Sequence, residues 1–260
     1  MSQITIAHKL IGKLRKFKTK LTITAHEHTK QLGSKKITYL FYRKHKSKKL
    51  VVIFSGMHKE TAVYNYIKTL DGISHNRLYI LDNHGVDKLG CYYIGANGQN
   101  DVYLAVRELV DSVRKKYSID QLIFCGSSKG GHAALNFGLN YPDATIIAGA
   151  PQYKLGYYLT HRRSDQLLHS IAGDHPADEY IAYLDNTIEE KLRSNAGSFS
   201  GNIFLHYSDQ EHTYSEHIQP MLGTLSSYQY TWNEDVMHYV DHDDVAIHLP
   251  SYLRSTIDTL

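Results

Sequence analysis

Hydrophobic and polar positions follow no steady period over residues 1–34. From residue 35 onward they fall into regular blocks. Lys36–Tyr42 alternates and is rich in β-formers, so it predicts a half-buried strand. Leu50–Ser55 and Leu78–Asp82 are short apolar runs, the pattern of strands buried on both faces. Residues 83–98 read as a Gly-, Asn- and Tyr-rich loop. Asp101–Lys116 places Val102, Ala105, Val106, Leu109, Val110 and Val113 on one side of a helix. Gln121–Cys125 and Ala144–Ala148 predict strands on either side of a helix over Lys129–Asn140. Asn202–Tyr207 and Ser227–Trp232 predict two more strands flanking a helix at Tyr214–Leu225. A closing helix over Asp243–Ile257 is expected to kink at Pro250.

Short apolar strands alternating with helices predict an α/β fold, a mainly parallel sheet with helices on both faces. Residues 152–200 break the alternation with irregular helical sequence and read as an insertion capping one end of the sheet. The expected organisation is therefore a basic N-terminal arm, residues 1–34, and a single domain, residues 35–260, carrying that cap. The arm has a stripe of Leu10, Ile11, Leu14 and Phe17 within a short helix predicted around Ala7–Lys18.

Charge sharpens the picture of the arm. Residues 1–50 hold 14 of the 29 Lys and Arg and one acidic residue, Glu27, so the remaining body is net acidic. Such an arm fits an anionic polymer, an anionic membrane surface or the acidic body itself. The acidic body and the lack of a nucleic-acid motif argue against nucleic acid. Two cysteines, Cys91 and Cys125, make no disulfide framework and fit a reducing compartment. No apolar run reaches the roughly 20 residues of a membrane span. Lysines interrupt the N-terminal apolar stretches, which excludes a signal-peptide core. The expected location is cytoplasmic, with the arm allowing a peripheral position at the inner face of the membrane.

The chemistry centres on Gly126-Ser127-Ser128-Lys129-Gly130-Gly131, set between a predicted strand and a predicted helix. That is the G-x-S-x-G nucleophile elbow in its required context, with Ser128 as nucleophile. Small residues two positions either side allow the chain to cross itself, and the Lys129 N–H points to the same spot as the hydroxyl. A serine needs a base and the base needs an orienting carboxylate, in the chain order Ser, acid, His. Asp209, just after the Asn202–Tyr207 strand, is the expected acid, with Glu211 the alternative. His242, ahead of the closing helix, is the expected base, with His238 the alternative. A second oxyanion donor is expected from Gly56 or Met57, after the Leu50–Ser55 strand. Tyr92, Tyr93 and His58 are candidate substrate contacts, since they lie beyond the carboxyl ends of strands. His238 and His242 stand at i, i+4 beside three aspartates, but no matched third ligand follows, so no metal is expected.

These residues together form a recognisable set: the elbow GSSKGG, the loop GCYYIGANG, the run FLHYSDQEHTYSEHI and the terminal HDDVAIHLPSYL. The chain resembles the α/β-hydrolase-type bacterial capsule polysaccharide O-acetyltransferases over roughly residues 36–260. The resemblance implies a Ser-Asp-His triad at Ser128, Asp209 and His242. It also implies acetyl-CoA as a donor substrate with no tightly bound cofactor, and a sugar hydroxyl of an anionic capsular polysaccharide as acceptor. By extension the arm would contact a capsule-synthesis complex or the membrane surface. Two other activities share such a fold: a serine esterase or deacetylase, and a non-catalytic module accessory to secretion.

Overall fold

A computed structural model describes residue 23 and residues 25–162 and 165–260. The helix predicted around Ala7–Lys18 lies outside the described residues. Eight strands make one sheet in the order β1-β2-β4-β3-β5-β6-β7-β8. They are β1 (Glu27–Leu32), β2 (Lys35–Tyr42), β3 (Lys49–Phe54), β4 (Asn76–Leu81), β5 (Gln121–Ser127), β6 (Thr145–Gly149), β7 (Asn202–Ser208) and β8 (Asn233–Met237). The β1–β2 and β2–β4 pairings are antiparallel, and every pairing from β4 onward is parallel. The arm boundary expected at residue 34 therefore moves toward the N-terminus, because Glu27–Leu32 is a hydrogen-bonded edge strand.

The alternation of side chains along each strand builds two cores. Leu50, Val52 and Phe54 of β3 face one side, with α1 (Asp101–Tyr117), α2 (Lys129–Gly138) and the helices of the insertion. Val51 and Ile53 face the other, against α7 (Val245–Thr259) and the segment holding Leu70 and Ile73. The central strands β4 and β6 are buried at every position, which is why their sequences read as unbroken apolar runs. α1 buries the six apolar residues predicted for it and ends at Ser118 in the left-handed region, φ 50°.

The segment 152–200 contributes α3 (Leu155–His161), α4 (Asp165–Ala172) and α5 (Asp178–Asn195). Leu159, Leu168 and Leu184 pack these helices into the same core as α2, so no residue of α2 is exposed. A π-turn at Tyr214–Ile218 leads into α6 (Gln219–Ser227). The last strand is later than the sequence predicts: β8 is Asn233–Met237, and Ser227–Trp232 contains the end of α6 and a loop. Tyr228, Tyr230 and Trp232 of that loop pack on the core, which explains their strand-like composition. Pro250 sits inside α7 without dividing it. Among the described residues no helix is long and apolar enough to cross a membrane.

Candidate active site

A one-residue turn between β5 and α2 organises the site. β5 stays paired to β6 as far as Ser127, and α2 begins at Lys129. Ser128 alone makes the reversal, at φ 54° and ψ −120°, a conformation few non-glycine residues hold. The flanking glycines are sterically required. A Cβ on Gly126 would lie 2.5 Å from the Gly130 carbonyl oxygen, and one on Gly130 would lie 2.7 Å from that of Phe54. Ser127, the other serine of the motif, accepts from the Tyr66 hydroxyl at 2.6 Å.

Ser128 Oγ lies 2.9 Å from His242 Nε2, and His242 Nδ1 lies 2.6 Å from Glu211 Oε2. With Nδ1–H donating to the carboxylate, Nε2 keeps its lone pair and accepts the serine O–H. The Glu211 side chain is wholly buried and the His242 ring is 16% exposed, so the carboxylate is screened while the imidazole edge reaches the cleft. His242 opens a short 3₁₀ turn, His242–Asp244, capped by the Asp241 carboxylate accepting from the Asp243 N–H at 2.9 Å.

The expected acid, Asp209, is not beside His242. Its N–H bonds the Met237 carbonyl oxygen at 3.0 Å, so the chain there still follows β8. Its carboxylate meets His238 Nδ1 at 2.8 Å, in a largely exposed pair where the His238 side chain is 74% accessible. Only two residues later has the loop turned inward, and that puts Glu211 against His242. The alternative base, His238, thus goes with Asp209 and away from Ser128.

Two candidate oxyanion donors converge near Ser128. The Lys129 N–H is in the first turn of α2, where the helix dipole favours negative charge. Of the two candidates in the β3 loop, the Gly56 N–H is already given to Asn65 Oδ1 at 2.9 Å, which leaves Met57. Met57 and His58 line an open cleft of about 510 Å³ with Ser128, His242 and Val245. The cleft continues past Lys59 into a depression of about 410 Å³ bordered by Leu89, Arg162 and Gln166. Burial lowers the His58 imidazole, partly countered by its hydrogen bond with Asn65.

Tyr92 and Tyr93 do not reach this cleft. Both have positive φ, 55° and 57°, and their side chains turn into the core with no exposure. The Tyr93 hydroxyl accepts from the Ser55 N–H at 2.6 Å and donates to the Ile80 carbonyl at 2.9 Å. It braces the end of β3, so its role in the fold is to place the loop that carries Met57.

Two features had no specific sequence signal. Gln152, fully buried, donates from Nε2 to Ser128 Oγ at 2.8 Å. Its backbone carbonyl is anchored on His132 Nδ1 at 2.7 Å. Its place just past the carboxyl end of β6 was the one hint available. The second is a buried ion pair, Lys129 Nζ to Asp82 Oδ2 at 2.9 Å, with both side chains wholly inaccessible. The Cys91 and Tyr93 N–H groups also donate to Asp82 Oδ2, at 2.9 and 3.2 Å. Burial alone would raise the Asp82 carboxyl, but the Lys129 charge and the His84 side chain outweigh it and hold it well below the usual carboxylate range. Asp82, His84 and Cys91 present potential ligand atoms within 4.8 Å of one another, yet the Lys129 ammonium already supplies the cation there. The pair ties the first residue of α2 to the end of β4, and so fixes the backbone N–H beside Ser128.

Residues 45–194, more than half of the chain, match the family described as serine aminopeptidase, S33. The chain belongs to that family. Within this α/β-hydrolase architecture the fold is similar to the capsule O-acetyltransferase of Neisseria meningitidis serogroup A. The TM-score is 0.72 at 24% identity, over 89% of this chain and 94% of that one. A mutant of that enzyme in complex with CoA aligns with TM-score 0.73 at 22% identity, over 89% and 94%. The Gap123 glycosylation-associated complex of Streptococcus agalactiae aligns at 0.70 and 17% identity, over 89% of this chain and 45% of that one. The fluorophosphonate-binding serine hydrolase F of Staphylococcus aureus aligns at 0.61 and 11% identity, over 89% and 95%. No curated protein sequence matches the chain.

Proposed function

We propose that this member of the serine aminopeptidase S33 family is an O-acetyltransferase. It would move an acetyl group from acetyl-CoA to a hydroxyl of an anionic bacterial surface polysaccharide. The observation that carries the reading is the hydrogen-bonded chain Ser128–His242–Glu211, set at a strained elbow under an open cleft.

In this reading Ser128 Oγ attacks the thioester carbonyl while His242 Nε2 takes its proton. Glu211 holds the imidazole tautomer and offsets the imidazolium charge. The Lys129 and Met57 N–H groups hold the oxyanion. The C–S bond breaks, the thiol leaves with the proton from His242, and the acetyl group stays on Ser128. A sugar hydroxyl then gives its proton to His242 and attacks the ester, the C–Oγ bond breaks, and Ser128 recovers the proton. Lys59, at the cleft, and Arg162, at the adjoining depression, are the candidate contacts for the phosphates of the CoA moiety. The donor reading is supported by the CoA complex of a protein with the same fold.

A water-using esterase with the same three residues is the competing reading, favoured by the hydrolase family to which the chain belongs. The test is the intact mass of wild type and Ser128→Ala after acetyl-CoA, then after a fluorophosphonate, followed by CoA release with and without capsular polysaccharide. An acetyl adduct dependent on Ser128, with acceptor-dependent CoA release, is the expected result. A phosphonate adduct alone turns the reading to the esterase, and no adduct from either reagent overturns both.

A further inference from the structure

Away from Ser128, a groove of about 620 Å³ runs between α1, the carboxyl end of α2 and α5. α2 rises about 1.5 Å per residue, so the groove begins roughly 15 Å along the helix from the elbow. Its floor holds two cations. Lys191 Nζ donates to the Tyr103 hydroxyl at 2.7 Å, to Asn140 Oδ1 at 3.3 Å and to the Asn136 carbonyl oxygen. All three partners are neutral. Arg107 lies next to it, with Nε buried and without a hydrogen-bond acceptor. Among the described residues neither cation forms an ion pair with a carboxylate. Glu190, the one acidic residue on the groove, is paired with Arg193.

The Lys191 ammonium is held only by neutral dipoles and Arg107 is half-buried beside it, so among the described residues the groove carries two cations and no carboxylate paired with them. The ammonium registers the deficit: burial, and then the Arg107 charge, push Lys191 down to about 7. The Asn136 side-chain oxygen, 3% exposed as a residue, also lacks a partner and lines a small recess opening beside Lys191. About two turns before Lys191 on the same helix, the groove has an aromatic residue. Tyr183 is 46% exposed, and its ring is steadied by Tyr180 at 5.6 Å between centroids and by Asn100 donating to its hydroxyl at 3.1 Å. Cations, amides and hydroxyls lining one groove with a half-exposed ring are the chemistry of a site for an anionic ring-shaped polar ligand.

We propose that this groove is a second glycan-binding site, which takes an acidic sugar unit with its carboxylate or phosphate against Lys191 and Arg107 and its ring on Tyr183. The proposal goes beyond the acyl-transfer reading and needs no chemistry at Ser128. It gives a polymer a point of attachment remote from the cleft.

The test is native affinity electrophoresis of the full chain in gels containing polygalacturonate, phosphomannan or neutral dextran. Wild type is expected to be retarded by one or both acidic glycans and not by dextran, and comparing the two separates carboxylate from phosphate recognition. Lys191→Met should weaken the retention about tenfold, the scale of one charge–charge attraction at a partly exposed site. Lys115→Met, at an exposed lysine of α1, removes the same charge and should leave it unchanged. Tyr183→Ser alters an exposed side chain and no charge, and should also weaken retention even if Lys191→Met folds poorly. Equal retention of the Lys191 and Lys115 variants would reduce the effect to general electrostatics and overturn the proposal, as would unchanged retention of Tyr183→Ser or no retention of wild type. Fluorophosphonate labelling of Ser128, measured on the same samples, reports the acyl-transfer reading separately.

Discussion

Exchanging one carboxylate at a time decides which acid serves His242. Glu211→Gln keeps the volume of a wholly buried side chain and removes its charge. On the proposed mechanism His242 becomes an imidazolium in the transition state for acylation, with its positive charge centred about 4 Å from the carboxylate. At that separation and an effective dielectric of about 20, the attraction is worth about 4 kcal/mol. A loss of that size corresponds to roughly a thousandfold in rate. The glutamine amide can also favour the wrong imidazole tautomer, which carries the loss to about 10³–10⁴-fold, as in other Ser-His-acid sites. Asp209→Asn should change the rate less than about threefold, because an exposed ion pair contributes little. The assay is the second-order rate of fluorophosphonate labelling of Ser128, with the p-nitrophenyl acetate burst as a second probe. A urea titration confirms that both variants stay folded. A larger loss in Asp209→Asn than in Glu211→Gln, or equal losses in the two, would refute the assignment of Glu211.

Gln152→Glu replaces a donor to Ser128 Oγ by an acceptor that competes with His242 for the serine proton. Labelling should fall about 10–100-fold, the worth of one hydrogen bond to a developing charge, and the urea midpoint should fall as well because the new carboxyl group is fully buried. Lys129→Met leaves Asp82 buried and unpaired, so it should cost about 3–5 kcal/mol in urea unfolding, and adding Asp82→Asn should return part of that. Gly90→Ala should damage the same pair, since its Cβ would lie 2.3 Å from Lys129 Nζ at φ +116°. Gly33→Ala, at φ +55° with open space around it, should cost only about 1 kcal/mol. Burial pushes His132 and His217 from 6.5 down to about 4, so the folded state stays unprotonated where the unfolded state binds protons. Their contribution is complete above about pH 6.5 and is lost as pH falls toward 4, about 3 kcal/mol for each imidazole. His132→Gln should therefore flatten the pH dependence of the urea midpoint across that window and leave it parallel to wild type above pH 7.

Legibility in the sequence tracked how local each constraint is. β3 to β6 are buried on both faces, so their composition alone marks them. β8 is an edge strand whose sequence, NEDVM, is exposed or half-exposed throughout, and the aromatic residues just before it imitate a strand while packing as a loop. The elbow is legible because its demands lie within five residues: two glycines forced by contacts under 3 Å and a serine between them. His242 is legible for a similar reason, as the residue where the last loop meets the closing helix. The acid is different in kind. Asp209 and Glu211 both follow β7 with the same chemistry, and what separates them is one long-range hydrogen bond, Asp209 N–H to Met237, which keeps the chain extended for two more residues. The register of β8 sets that bond, and the register was the part of the sheet the sequence placed least well. The same holds for Gln152 and for the Asp82–Lys129 pair, whose partners lie 24 and 47 residues apart and meet only once the sheet order is known. The late position of β8 and the pairing of Glu211 with His242 are thus one effect: the edge of the sheet decides which acid turns toward Ser128.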